Sequence, residues 1–213
     1  MSCSNGAVEA SGCLATLRAK VRNYTIISGT GRAGTTLLVR ILMKAGVDTG
    51  FDADAAIDPV AHAGLELDIR TKPDCRVVKS PWIATYLDQV VLDPEIAIDH
   101  AIICMRDLYA AAESRRRVQR LRNTEQPVAG GLWGATDPAA QEAYLAEVFY
   151  KLIFHLSEQE VPMTFLHFPR FAKDADYFVE KLAPIFPDVT GATLRAAHQA
   201  EVATDLITDF GKG

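Results

Sequence analysis

The 213-residue chain lacks the features that mark several large classes of protein. It has only four cysteines, at positions 3, 13, 75 and 104, and their spacing fits neither a zinc site nor a disulfide framework. No apolar run approaches the roughly 18 residues of a membrane-spanning helix. The net charge of −5 provides no basic field for nucleic acid or an anionic membrane. These absences predict a cytoplasmic protein in a reducing compartment, with no nucleic acid and no membrane among its partners.

The sequence also lacks a secretory signal, because residues 1–20 have neither a basic start nor an apolar stretch. We expect these residues to form a flexible lead-in. No internal repeat, low-complexity tract or linker divides the chain. The apolar fraction of 49% and the charged fraction of 23% are ordinary for a globular core. We therefore predict a single domain over residues 1–213.

Strands and helices are predicted to alternate along the chain. The segments between strands are long enough for right-handed crossovers, so the predicted fold class is α/β, a three-layer structure with a mostly parallel sheet and helices on both faces. The predicted strands cover residues 24–28, 47–49, 75–79, 96–105 and 162–168. A first predicted helix follows residues 29–36 and ends at about residue 44, and a short one starts near residue 58. Further helices are predicted over residues 82–92, 108–121, 137–160 and 169–186, followed by one more amphipathic helix or a loose tail.

The strongest feature is a glycine-rich loop between the first predicted strand and the first predicted helix. Residues 29–36 read Gly-Thr-Gly-Arg-Ala-Gly-Thr-Thr. Glycines let backbone N–H groups curl around a phosphate, and the following helix N-terminus adds partial positive charge. Strand, loop and helix in this order predict an anion site on a P-loop NTPase-like fold.

The loop lacks the lysine of a Walker A motif. Gly29 and Gly34 have the Walker spacing, but Thr35 stands where the motif requires lysine, and the nearest positive charge is Arg32. An ATPase or kinase with this loop would have no lysine to bridge the phosphates. A P-loop kinase or NTPase with a displaced basic residue stays an alternative.

Residues 32–36, Arg-Ala-Gly-Thr-Thr, resemble the phosphosulfate-binding loop of the sulfotransferase family, a basic residue and a small residue before Gly-Thr-Thr. Arg106, which ends a predicted strand, is followed eight residues later by Ser114, and this pair resembles the family's ligands for the 3′-phosphate of 3′-phosphoadenosine 5′-phosphosulfate. The resemblance implies that this molecule (PAPS) is the co-substrate and that no metal is needed. The implied binding residues are Gly31, Arg32, Ala33, Gly34, Thr35, Thr36, Arg106 and Ser114.

The resemblance also implies the reaction, an in-line transfer of a sulfuryl group to a hydroxyl or amine of a small-molecule or glycan acceptor. Arg32 and Lys79 are the implied catalytic cations. Lys79 is the first residue of Lys-Ser-Pro, a short segment that also resembles the family. A general base is expected after the first helix. Asp52 is favoured for that role because it lies twenty residues after Arg32 in the sequence, close to where the resemblance places a glutamate in some relatives. The stretch offers four candidates: Asp52, Asp54, His62 and Glu66.

The resemblance weakens toward the C-terminus. Residues 167–171 read His-Phe-Pro-Arg-Phe where the family usually has Arg-Tyr-Glu-Asp-Leu, and a second glycine- and lysine-rich phosphate segment is not evident. A non-catalytic nucleotide-binding or scaffold protein that kept the fold and lost the base is a further alternative, favoured by the uncertain base and the short acceptor region. The arginine run between residues 115 and 122 is typical of a solvated helix face, and it also suits contact with an anionic acceptor or the nucleotide. Trp82 and Trp133 are of the type that lines acceptor pockets, with core packing favoured for Trp82.

Overall fold

The four strands of the fold form one open, all-parallel sheet in the order β2-β1-β3-β4. The computed structural model describes residues 21–52, 54–126, 128–135 and 137–202, so the predicted lead-in and residues 203–213 lie outside the described residues. The strands are β1 (Arg22–Gly29), β2 (Val77–Lys79), β3 (Ile96–Met105) and β4 (Met163–His167).

Helices follow the strands along the chain. Within the described residues no helix is both long and apolar enough to cross a membrane. Short 3₁₀ turns occur at Ile69–Thr71, Ile83–Thr85 and Pro138–Ala140. The α-helices are α1 (Thr35–Lys44), α2 (Leu87–Val91), α3 (Leu108–Arg122), α4 (Gln141–Glu158), α5 (Arg170–Lys173), α6 (Ala175–Leu182) and α7 (Gly191–Glu201).

Both faces of the sheet are covered, because alternate strand residues point to opposite faces. On one face Ile27 and Ile102 pack with apolar residues of α1, α6 and α7. On the other face Ile26 and Ile103 pack with apolar residues of α2 and α4. Burial on both faces explains why the strands read as near-continuous apolar runs. The predicted α/β class, with a parallel sheet between helices, is confirmed for the described residues.

The predicted strand over residues 47–49 is not present. The Asp48 carbonyl accepts one hydrogen bond from the Val77 N–H at 3.0 Å, and no ladder continues from it among the described residues. Gly46 and Gly50 flank the segment with φ values of 83° and 73°, which end the extended conformation after a few residues. Its would-be neighbour β2 is correspondingly short and begins at Val77 rather than at residue 75.

The predicted helix from residue 58 is also wrong. The Asp58 carboxylate accepts hydrogen bonds from the N–H groups of Val60 and Ala61 at 2.9 and 2.8 Å, as an N-cap does. His62 and Leu65 then adopt left-handed φ values of 48° and 64°, which a right-handed helix does not contain. The cap therefore closes a turn, and the chain continues as an irregular segment over the sheet edge.

Two predicted helices are divided. Residues 82–92 form a 3₁₀ turn and then α2, because Tyr86 between them has an extended φ of −145°. Residues 169–186 form α5 and α6, separated by Asp174 with φ of −125° and ψ of 96°. The Asp174 side chain accepts the Tyr177 N–H and so caps α6 inside the predicted helix. By contrast, the bounds of β3 match their prediction, and residues 191–201 form α7.

Candidate functional site

The strand order places a crevice beside the glycine loop. From β1 the chain passes to β2 on one side, and β3 then lies on the other side of β1. Ligands of open α/β sheets bind outside the carboxyl ends of the strands at such a switch point. Residues 30–34 follow β1, Lys79 ends β2, and Arg106 follows β3, so all three reach this edge.

A cavity of about 570 Å³ opens at this edge. That volume is in the range of pockets that enclose small ligands and cofactors. Its walls are the glycine loop, the start of α1, the end of β2, part of α3, and the segments 57–66 and 128–133. Ala33 does not line it, because its side chain is buried in the apolar core. The other predicted binding residues and Lys79 do: Gly31, Arg32, Gly34, Thr35, Thr36, Lys79, Arg106 and Ser114.

The glycine loop is strongly curled. Gly31, Arg32 and Gly34 have φ values of 70°, 52° and 78°, so three of four consecutive residues adopt the left-handed conformation. Gly34 is the N-cap of α1, with no side-chain cap and no acidic residue in the first turn. The N–H groups of residues 35–37 meet no hydrogen-bond acceptor among the described residues. Unpaired N–H groups at a helix start carry partial positive charge and suit an anion.

Arg32 connects the loop to both neighbouring walls. Its Nε donates to Ser114 Oγ at 3.0 Å, and its Nη1 donates to the Ala61 carbonyl at 2.5 Å. Arg106 Nη1 donates to the Arg32 carbonyl at 2.9 Å, and the Arg106 guanidinium lies 5.0 Å from the Phe168 ring centroid. Burial, and then the neighbouring Arg106 charge, lowers the pKa of Arg32 to about 10. The structure thus brings Arg32, Arg106 and Ser114 together, with Arg32 already bonded to the serine hydroxyl.

Lys79 reaches from the end of β2 to the glycine loop and is only 2% exposed. Its Nζ donates to Thr36 Oγ1 at 2.7 Å, to the Gly64 carbonyl at 2.5 Å and to the Glu66 carboxylate at 2.8 Å. Burial lowers the pKa of Lys79, and the Glu66 carboxylate opposes that shift. These acceptors match the three donors of an ammonium group, so the charge is fixed beside the Thr36 hydroxyl.

Two of the four candidate bases reach the cavity. His62 and Glu66 line it, whereas Asp52 and Asp54 are exposed and do not. The sequence favoured Asp52 because of its distance from Arg32, but the folded segment does not bring it there. Apolar residues of the same stretch pack against the core and leave the aspartates facing solvent: Phe51, Ala55 and Ile57.

The arginine run on α3 has members with different environments. Arg116, Arg120 and Arg122 form ion pairs with carboxylates, as a solvated face predicts. Arg115 is instead 7% exposed, lines the cavity, and donates from Nη1 to the Gly131 carbonyl at 2.8 Å. Sequence reasoning missed this burial. The adjacent glycines at 130 and 131, which allow the segment to lie close to α3, are the signal that could have indicated it.

The two tryptophans both line the cavity. Trp82 is 41% exposed, so the expectation that it packs in the core is wrong. Trp133 belongs to the segment 128–133. The backbone N–H of Trp133 donates to the Gln141 side-chain oxygen at 2.8 Å, and its backbone carbonyl accepts from the Gln141 side-chain nitrogen at 2.8 Å. The buried Gln141 thereby fixes the position of this segment.

Positive charge dominates the cavity walls. Glu66 is paired with Lys79, and Glu201 with Arg40 and Lys44. Arg32 and Arg115 form no ion pair with a described residue. The walls therefore suit a ligand with several negative charges. The charged lining residues are Arg32, Arg40, Lys79, Arg106, Arg115 and Arg117, with Glu66 and Glu201 of opposite sign.

The comparisons with known proteins add no assignment to this geometry. Neither the protein-family models, nor the curated proteins, nor the solved structures gave a match to this chain.

Proposed function

We propose that the chain is a PAPS-dependent sulfotransferase with a P-loop NTPase-like fold. It transfers a sulfuryl group to a hydroxyl or amine of a small-molecule or glycan acceptor. The observation that supports this most is the convergence of three features on one cavity: the curled glycine loop, the buried Lys79, and the pair Arg106 and Ser114. The loop suits the 5′-phosphosulfate and the pair suits the 3′-phosphate, which together account for an excess of cations in an acidic chain.

The position of Lys79 favours a sulfuryl donor over a magnesium nucleotide. Thr36 occupies the position whose hydroxyl binds Mg²⁺ in a Walker A loop. Here that hydroxyl accepts a hydrogen bond from the Lys79 ammonium at 2.7 Å. A magnesium ion at the same oxygen would meet a fixed positive charge at close range, which would weaken its binding. A sulfuryl group carries less charge than a terminal phosphate, so an ammonium can provide the charge stabilisation.

In the proposed reaction a bond forms between the acceptor oxygen or nitrogen and the sulfur, while the bond from sulfur to the bridging oxygen breaks. The acceptor proton passes to a general base, and adenosine 3′,5′-bisphosphate leaves with the electron pair of the broken bond. Lys79 and Arg32 stabilise the negative charge that develops on the oxygens, and the free N–H groups of residues 35–37 hold the 5′-phosphate. Glu66 and His62 are the candidate bases in the cavity wall.

A thermal-shift titration with adenosine 3′,5′-bisphosphate in the presence of EDTA tests the nucleotide site. A ligand at 100 times its Kd adds about 2.7 kcal/mol of stability, which raises the Tm of a chain of this size by roughly 5–10 °C. Arg106→Ala should lose most of this shift, because it removes the guanidinium fork. Circular dichroism of the unliganded variant checks that it is folded.

Two other ligands, adenosine 5′-monophosphate and MgATP, make the titration selective. Stabilisation by the bisphosphate above the monophosphate, without metal, supports the 3′-phosphate site. Stabilisation by MgATP alone would reject that site and favour a kinase or NTPase. Binding of the bisphosphate with no transfer from PAPS to any acceptor in a broad panel would identify a non-catalytic relative.

Replacing the cavity carboxylate tests the base. Glu66→Gln is expected to lower kcat by about 10²-fold or more, because general base catalysis contributes roughly 10²–10⁴-fold. The bisphosphate thermal shift should be retained. Release of bisphosphate from PAPS, measured with a panel of hydroxyl and amine acceptors, gives kcat.

Asp52→Asn is the matched control, since it also neutralises one carboxylate that follows α1 but an exposed one outside the cavity. It should leave kcat unchanged. A loss of activity in Asp52→Asn would return the role to Asp52. Full activity in Glu66→Gln with a loss in His62→Gln would assign the base to His62.

A further inference from the structure

Arg115 is a buried cation that its partners among the described residues do not satisfy. It is 7% exposed, and its Nε is buried with no acceptor among the described residues. Burial, and then the charge of Arg32, lowers the pKa of Arg115 to about 10, so it stays protonated at neutral pH. A buried charge with an unused donor and no carboxylate is unfavourable for folding. A ligand bound in the cavity that Arg115 lines would supply the missing negative charge.

The guanidinium of Arg115 is held in place from two sides. A Cβ atom on Gly31 would come within 2.3 Å of Arg115 Nη2, so glycine at this position leaves room for the guanidinium where it lies. On the other side its Cζ lies 5.3 Å from the Trp133 ring centroid, and Nη1 donates to the Gly131 carbonyl. The glycine loop and the segment 128–133 thus fix the guanidinium in the cavity wall.

The neighbours of Arg115 indicate which part of a ligand it meets. Ser114 precedes it on α3, and Arg32, whose Nε donates to Ser114 Oγ, is close enough to lower the pKa of Arg115. Arg106 in turn lowers the pKa of Arg32. A phosphomonoester has three acceptor oxygens and a charge of about −1.5 to −2 at neutral pH, which exceeds what one arginine satisfies. The cluster of guanidinium groups around Ser114 suits such a dianion.

We propose that Arg115 binds the same terminal phosphomonoester as Arg106 and Ser114. This inference rests on the proposed function, in which that group is the 3′-phosphate of the nucleotide. Arg115 then determines selectivity for a nucleotide that carries this phosphate over one that lacks it, because Arg115 lines the cavity and its charge is compensated when the dianion is bound there.

The test measures the Kd of adenosine 3′,5′-bisphosphate and of adenosine 5′-monophosphate for the full chain and for Arg115→Met. The preference for the bisphosphate should fall by about tenfold or more, as expected for one lost hydrogen-bonded charge. The Kd of the monophosphate should change by less than about twofold, since that ligand has no group for Arg115 in the proposal. Arg120→Gln, an exposed arginine on the same helix outside the cavity, should leave both constants unchanged.

Two further measurements separate binding from a structural role. The unliganded Tm of Arg115→Met should fall by no more than about 4 °C, because removing an unpaired buried charge offsets the lost bond to Gly131. Arg115→Lys keeps the charge without the planar fork and should show an intermediate preference. A large fall in Tm with equal loss of both ligands would overturn the proposal.

Failure of the inference can be distinguished from failure of the proposed function. If the wild-type chain has no preference for the bisphosphate, the proposed function fails and the role of Arg115 fails with it. If the wild-type chain prefers the bisphosphate and Arg115→Met keeps that preference, only the role of Arg115 is overturned.

Discussion

Lys79→Met is expected to lower kcat for the proposed sulfuryl transfer by about 10²–10³-fold, the effect of removing one preorganised donor from a charge-stabilising site. Methionine keeps most of the length and removes the charge. In the wild-type chain the ammonium is held by three acceptors, so it does not need to reorient when charge develops in the reaction. Binding of adenosine 3′,5′-bisphosphate should weaken by less than about tenfold, because the product lacks the sulfuryl group. Steady-state rates and bisphosphate titrations measure the two effects separately.

The same substitution should also lower stability, because the Gly64 carbonyl and the Glu66 carboxylate lose their donor. A buried acceptor without a partner costs about 1–3 kcal/mol. The Glu66 side chain is 21% exposed, so water satisfies part of its loss. We expect a net decrease of about 2 kcal/mol, or a Tm lower by roughly 4–8 °C.

Glu66→Gln in the Lys79→Met background tests the structural role of Lys79, because it removes the carboxylate that the ammonium pairs with. The double variant should recover part of the stability, because the two residues are in contact and their effects are not additive. Transfer should stay low, because the double variant lacks both the cation and the proposed base, so a control at another lysine separates the catalytic role from the structural one. Lys72→Met is the matched control, since Lys72 is also ion-paired, with Asp93 and Glu95, but lies outside the cavity. It should lose some stability and no activity.

The sequence predicted the fold best where the expected burial and the spacing of apolar residues indicate the same element. The bounds of β3 match the prediction because the strand is mostly apolar and is followed by a clear charged pair, Arg106 and Asp107. It failed over residues 58–66, where the Asp58 cap is followed by left-handed residues that bend the chain toward Arg32 and Lys79. Those residues form backbone contacts with side chains distant in sequence, and a local pattern contains no information about them.

The candidate site was predictable where its residues lie at the ends of strands. The glycine loop and Arg106 follow strands and Lys79 ends one, and the carboxyl ends of parallel strands lie at one edge of the sheet. Arg115 was not predictable, because an arginine in a basic run is buried only when another segment covers that face of the helix. Here the cover is the segment 128–133, which Gln141 and Gln119 hold through its backbone.

Gly29→Ala is expected to cause the largest loss of stability. Gly29 ends β1 with φ of 147°, and a Cβ atom there would lie 1.9 Å from the Cys104 carbonyl oxygen. Cys104 is its partner on β3, and the same oxygen accepts the Thr30 N–H at 3.2 Å. The clash is with backbone in the centre of the sheet, so no side chain can rotate away to relieve it. We expect a loss of about 3 kcal/mol or more, and a Tm lower by at least roughly 6–12 °C in thermal unfolding.

Gly46→Ala is the control for the backbone conformation alone. Gly46 has φ of 83°, and nothing lies within 4 Å of a Cβ atom placed there. Its free energy of unfolding should decrease only by the cost of a left-handed backbone at alanine, about 1 kcal/mol. Equal decreases in the free energy of unfolding for the two glycine variants would show that the close approach of β1 to β3 is not the cause.

If the close approach is the cause, folded Gly29→Ala should also bind the bisphosphate more weakly, because the Arg106 N–H donates to Thr30 Oγ1 at 3.2 Å across these strand ends. Gly29, which allows the two central strands to meet, thereby also sets the distance between the glycine loop and Arg106, the arginine proposed to bind the 3′-phosphate.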